Sequence, residues 1–109
     1  MPTAYKVLGN INPSATTATT LYTVPSATDT VISTITVCNQ ASTAGTFRIA
    51  VRPAAASLTA SQYIAYDTPI AANDTIALTL GITLDATDVV TAYASSASMS
   101  FLAFGSEIS

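Results

Sequence analysis

Four carboxylates stand at spacings that could serve acid–base chemistry: Asp67 with Asp74, and Asp85 with Asp88. Hydrolysis of a glycosidic bond needs such a pair, one carboxyl to protonate the leaving oxygen and one to act as nucleophile or base. Their context points to turns instead. Asp85 and Asp88 flank Ala86-Thr87, and an aspartate in that position caps neighbouring backbone N–H groups. The chain has no histidine, which removes the usual general base and every Ser-His-Asp or Cys-His nucleophile arrangement. One cysteine, Cys38, without histidine cannot complete the three or four N or S ligands of a zinc site. Cys38 lies in a β-like run and reads as a buried, inert thiol. The glycines Gly9, Gly45, Gly81 and Gly105 are too far apart to cradle a phosphate, and no spaced Asp/Asn loop of the calcium-binding kind is present. No catalytic residue, metal site or cofactor is expected, and a carboxylate-pair glycosidase is the enzyme alternative.

The residues left to act are those that recognise a surface. Arg48 and Arg52 project outward from an alternating strand, and Tyr63 and Tyr66 cannot both point inward from one regular strand. These four, Arg48, Arg52, Tyr63 and Tyr66, are the candidate interface residues, and an exposed tyrosine there would suit a carbohydrate. With Lys6 the chain has three cations against six carboxylates, a net charge of -3, and no basic stripe. Nucleic-acid binding needs clustered Lys or Arg contacts to phosphate, so that role is excluded, and an anionic membrane surface is disfavoured likewise. No run approaches the ~20 apolar residues of a membrane-spanning helix. Met1-Pro2-Thr3 lacks the basic start of a secretory signal, so the mature chain is expected to begin near Met1. A single cysteine permits no internal disulfide, which fits synthesis in a reducing cytoplasm.

The elements that would position these residues are short and extended. The chain has 109 residues, half of them hydrophobic and only 8% charged against a typical quarter or so. One domain over 1–109 is expected, with 1–20 an arm or loop-rich segment. Runs rich in Val, Ile, Thr, Tyr and Phe alternate with turn residues, and none has helical periodicity. About eight strands are predicted. They lie near Ala4 to Gly9, Leu21 to Val24, Thr30 to Asn39, Thr46 to Arg52, Tyr63 to Asp67, Thr75 to Leu80, Val89 to Ala94 and Met99 to Gly105. Thr30 to Asn39 reads as a central strand with Val31, Ile35 and Val37 on one face and Ile32, Thr34, Thr36 and Cys38 on the other. Thr46 to Arg52 alternates cleanly, with Phe47, Ile49 and Val51 inward. Ala54 to Ser61 is a connection too short for a stable helix. Inward sets from several strands require an opposing sheet, so the expected fold is all-β: a two-sheet antiparallel β-sandwich, jelly-roll or Ig-like in topology.

Several segments, taken in order, resemble a family of small phage structural domains known from cyanophages and other environmental phages. They are Leu21-Tyr22-Thr23-Val24-Pro25, Ser33-Thr34-Ile35-Thr36-Val37-Cys38-Asn39, Phe47-Arg48-Ile49-Ala50-Val51-Arg52-Pro53, Tyr63-Ile64-Ala65-Tyr66-Asp67, and Phe104-Gly105 with Glu107-Ile108. The resemblance implies a β-sandwich that serves as a capsid cement or decoration protein, commonly a homotrimer, with related modules in tail-fibre and tailspike proteins. It implies as partners the chain itself and the major capsid protein, and as location the outer capsid surface of the virion. Thr43-Ala44-Gly45 and Ala55-Ala56-Ser57 offer no distinctive receptor loop. A single free-standing domain suits decoration better than a fibre with its shaft, so a neck or tail module binding a host surface glycan is the alternative.

Overall fold

A computed structural model describes residues 3–109; the expected start of the mature chain near Met1 lies outside them. Among the described residues nine strands follow one another: β1 (Thr3–Ile11), β2 (Thr19–Thr23), β3 (Asp29–Asn39), β4 (Gly45–Arg52), β5 (Tyr63–Ile70), β6 (Thr75–Leu78), β7 (Ile82–Leu84), β8 (Val89–Ala94) and β9 (Met99–Ile108). One sheet runs β1-β9-β3, with β6 and β7 both paired to the far side of β3; the other runs β2-β8-β4-β5. Every pairing is antiparallel.

The pairing has a simple origin. Thr3 faces Ile108, Tyr22 faces Val90, Ile35 faces Leu78 and Gly45 faces Ile70. The chain is therefore one long antiparallel hairpin, its two ends at β1 and β9 and its tip between β4 and β5, wrapped so that alternate segments fall in opposite sheets. With β6 and β7 counted as one interrupted strand, this is the eight-strand jelly roll rather than the Ig-like order.

Apolar alternation drives the wrapping. Phe47 and Ile49 of β4 and Met99, Phe101 and Ala103 of β9 are wholly buried between the sheets. Phe47 and Phe101 meet edge to face with ring centroids 6.2 Å apart, the geometry that aromatic quadrupoles favour. Asn39, at the end of β3, is buried too. Its Nδ2 donates to the carbonyls of Thr43 and Ala71 at 3.0 and 3.2 Å, and its Oδ1 accepts the Ala41 N–H at 3.0 Å. The amide is thus satisfied and ties two loops to the sheet.

Three expectations need correction. The phase of β3 reverses at Ser33, an extra residue relative to β9, so Thr30 and Ile32 point inward on one side of it and Ile35, Val37 and Asn39 on the other. Val31 faces outward and Ile32 inward, the reverse of a regular strand. Cys38 lies opposite Ile35 and Val37, as the alternation has it, but that is the outer face, and the thiol is half-buried instead of buried. The run Thr75 to Leu80 ends at Leu78, because Gly81 takes a left-handed φ of 63° and Leu80 turns out, 54% exposed. Within 1–20, β1 is paired along its length and a loop spans residues 12–18, tied down where Thr16 N–H donates to the Ala94 carbonyl at 2.8 Å and Asn12 Nδ2 to the Ala97 carbonyl at 3.0 Å.

Truncating the inter-sheet aromatic contact, Phe101→Ala, is expected to destabilise the protein by about 3–5 kcal/mol. Denaturant unfolding measures this, and a loss below about 1 kcal/mol would show that Phe101 does not hold the sheets together.

Candidate functional site

Arg48 sits mid-strand on the outward face of β4, directly opposite Tyr93 of β8. On its other side β5 carries two bulges, so that three of its residues span two of β4 and then two span one. Asp67, at the first bulge, takes a left-handed φ of 47°, a conformation that aspartate tolerates better than most residues. The bulges bring Tyr63 and Tyr66, three apart in sequence, to the same side, with rings nearly perpendicular at 82° and centroids 4.9 Å apart. Neither tyrosine enters the core; Tyr66 is 57% exposed and Tyr63 half-buried.

The Arg48 guanidinium closes this cluster. Nε donates to Asp67 Oδ1 at 2.6 Å and Nη2 to Oδ2 at 3.2 Å, a forked ion pair. Cζ lies 4.2 Å from the Tyr66 ring centroid and 4.3 Å from that of Tyr93, so the cation is held between two aromatic faces. The bond to Asp67 holds Arg48 above its ordinary pKa. Three of the four candidate residues, Arg48, Tyr63 and Tyr66, thus form one constellation. Arg52 lies about 13 Å further along β4, opposite Val89, and its buried Nε has no hydrogen-bond partner among the described residues.

Beside the cluster opens a cleft of about 540 Å³, lined by Leu58, Thr59, Ala60, Tyr63 and Tyr66. Its other wall is the tip of the long hairpin, fixed by local bonds. Pro53–Ala55 forms a single 3-10 turn, and the Ala54 N–H donates to Asp88 Oδ1 at 2.8 Å. Thr59 caps a second turn, Ala60–Gln62; its N–H donates to Gln62 Oε1 at 2.9 Å, and Gln62 Nε2 donates to the Ser57 carbonyl at 3.1 Å. The carboxylates read above as turn residues do that work here. Asp88 Oδ2 accepts the Asp85 N–H at 2.9 Å, Asp85 Oδ1 accepts the Ala86 N–H at 2.8 Å, and Asp74 Oδ1 accepts the Thr75 N–H at 2.8 Å. Among the described residues no group of three or more His, Cys, Asp or Glu could hold a metal ion, and no helix is long and apolar enough to cross a membrane.

The outer face of the other sheet has a different character. Tyr5 is 85% exposed and Val7 50%, and the half-buried Val31, Leu102 and Phe104 continue the surface across β9 and β3. A shallow hollow of about 370 Å³ runs between Tyr5, Val31 and Phe104. Charge is sparse here: Asp29 stands at the end of β3, and Lys6, which lines the hollow and is half exposed, is neutralised by the largely covered Glu107. Lys6 Nζ meets Glu107 Oε1 at 2.7 Å; Tyr22 Oη, reaching across from β2, donates to Glu107 Oε2 and lies 2.8 Å from Thr30 Oγ1. Sequence reasoning passed over this bridge between the sheets. Its signal was a lone lysine and a lone glutamate near opposite ends of the chain, legible only once β1 and β9 are known to pair.

Lys6, and next Tyr22, lower the Glu107 pKa, while burial, and next the Glu107 carboxylate, push the Tyr22 phenol up to about 12. No protein-family model matches this chain, and no curated protein compared with it matches either.

The bridge gives two opposite pH dependences. A depressed Glu107 contributes stability above its unfolded pKa, near 4.3, that is lost as pH falls through its folded value. A raised Tyr22 contributes stability below about 10 that is lost as pH rises through about 12. Phenolate absorbance is expected to show a tyrosine ionising near pH 12 that disappears in Tyr22→Phe, and Glu107→Gln should flatten the acid limb of the stability curve; an unchanged titration in Tyr22→Phe would refute the bridge.

Proposed function

We propose that this chain is a structural protein of a phage particle: a capsid cement or decoration domain that associates with copies of itself, as a trimer, on the outer capsid surface and clamps neighbouring capsid subunits. The observation that carries the proposal is the outer face of the β1-β9-β3 sheet. It displays Tyr5, Val7, Val31, Leu102 and Phe104 among serines and threonines; its charges are few, with Asp29 at the end of β3 and Lys6 beside the hollow, the latter paired with the largely covered Glu107. A broad face with so little charge loses little hydration at a contact, and copies packed side by side repel each other little. Contiguous exposed apolar surface of this kind marks interaction sites.

The resemblance to phage structural domains supports the same role. Three-fold association is favoured because an icosahedral shell offers local three-fold positions and closed contacts are self-limiting. Binding the assembled shell in preference to free subunits stabilises it by mass action, which opposes expansion and rupture. A specific contact of this sort buries at least ~1,000 Å² in total.

Tyr5→Asp and Val7→Asp place a charge on this face at exposed positions, so both variants should fold with unfolding midpoints near the parent's. Sedimentation and capsid-binding measurements are expected to show self-association or shell binding weakened about tenfold or more. Unchanged oligomer mass together with unchanged shell affinity in both variants would overturn the assignment of this face.

A further inference from the structure

On the opposite side of the molecule, we infer that the cleft between the hairpin tip and β5 is a binding site for a neutral saccharide, with Tyr63 and Tyr66 as its ring-stacking walls. This is independent of the assembly role proposed above. The two rings stand at 82° with centroids 4.9 Å apart, so they form a corner, and Leu58, Thr59 and Ala60 close the opposite side. A volume of about 540 Å³ falls within the range of sites for small ligands. The corner is held in place on both sides: Arg48 is fixed against Tyr66 by Asp67, and the Thr59–Gln62 cap braces the tip. A preorganised wall lowers the ordering cost of binding.

Elimination on chemistry decides the ligand class. None of the five lining residues is charged, and the nearest ions, Arg48 and Asp67, compensate each other, so neither an acidic nor a basic ligand finds a partner. An added peptide strand would need a regular edge, and the two bulges of β5 break the hydrogen-bonding row that this edge strand offers. An apolar, wholly hydrophobic ligand would leave the tyrosine hydroxyls and the hydroxyl of Thr59 without use. A sugar ring matches both features: its C–H face carries the partial positive charge that an aromatic face attracts, and its hydroxyls can meet the polar tips of Tyr63 and Tyr66 and the hydroxyl of Thr59.

The test titrates the intact protein with neutral oligosaccharides of glucose, galactose and mannose, with a uronic-acid oligosaccharide, and with a proline-rich peptide, following tyrosine ring resonances. The expected result is saturable binding of at least one neutral oligosaccharide that shifts Tyr63 and Tyr66, is weakened about tenfold or more by Tyr66→Ala, and is unchanged by Tyr5→Ser on the opposite sheet. Leu58→Ser, on the other wall, is the second variant and should weaken binding in the same direction with the fold intact. Absence of binding by every neutral oligosaccharide, tighter binding of the uronate or the peptide, or affinity indifferent to both Tyr66→Ala and Leu58→Ser would overturn the site. The Tyr5 and Val7 variants separate this outcome from the assembly proposal, because they alter the other face alone.

Discussion

Bulges decide which side chains this protein hides and which it shows. At the level of Phe104 an extra residue is inserted in β1, near Leu8, and another in β3, at Ser33; beside them the 79–81 segment breaks the partner strand into β6 and β7. Each insertion reverses the phase of its strand, because side chains alternate with a period of two. Without the insertion at Ser33, Ile32 would face solvent whenever Ile35 faced the core. With it, Thr30, Ile32, Ile35 and Val37 all face inward and Val31 is left outside. The largely apolar outer face and the part-buried bridge of Tyr22, Thr30 and Glu107 are two results of the same shift.

The second sheet uses the device for another purpose. In β5 the bulges break an edge that would otherwise invite pairing with another chain, and they rotate two tyrosines onto one side. The hairpin tip, braced against Asp88 and by its own cap, then supplies the facing wall. The ends of the long hairpin build one surface and its tip builds the other, so the two faces can serve separate partners without competing for residues.

Where alternation is unbroken, the sequence was readable. Phe47, Ile49 and Val51 in β4, and Met99, Phe101 and Ala103 in β9, carry regular period-two patterns, and their inward faces were assigned correctly. The long strand β3 misled because a bulge leaves only a faint mark: isoleucines three apart, at 32 and 35, around a serine. The aromatic cluster was half legible, since Tyr63 and Tyr66 on one regular strand had to diverge, yet nothing local shows that bulges would reunite them or that Arg48 would lie between Tyr66 and Tyr93. That contact depends on the pairing of β4 with β8, some forty residues distant in sequence. Partnerships set by strand order are not written in any one segment.

The direct measurement of the proposed role is the copy number of this chain in purified phage particles that carry its gene, set by quantitative mass spectrometry against the major capsid protein. Copies comparable in number to the capsid subunits are expected of a domain that covers the shell; a handful per particle, or none, would contradict it.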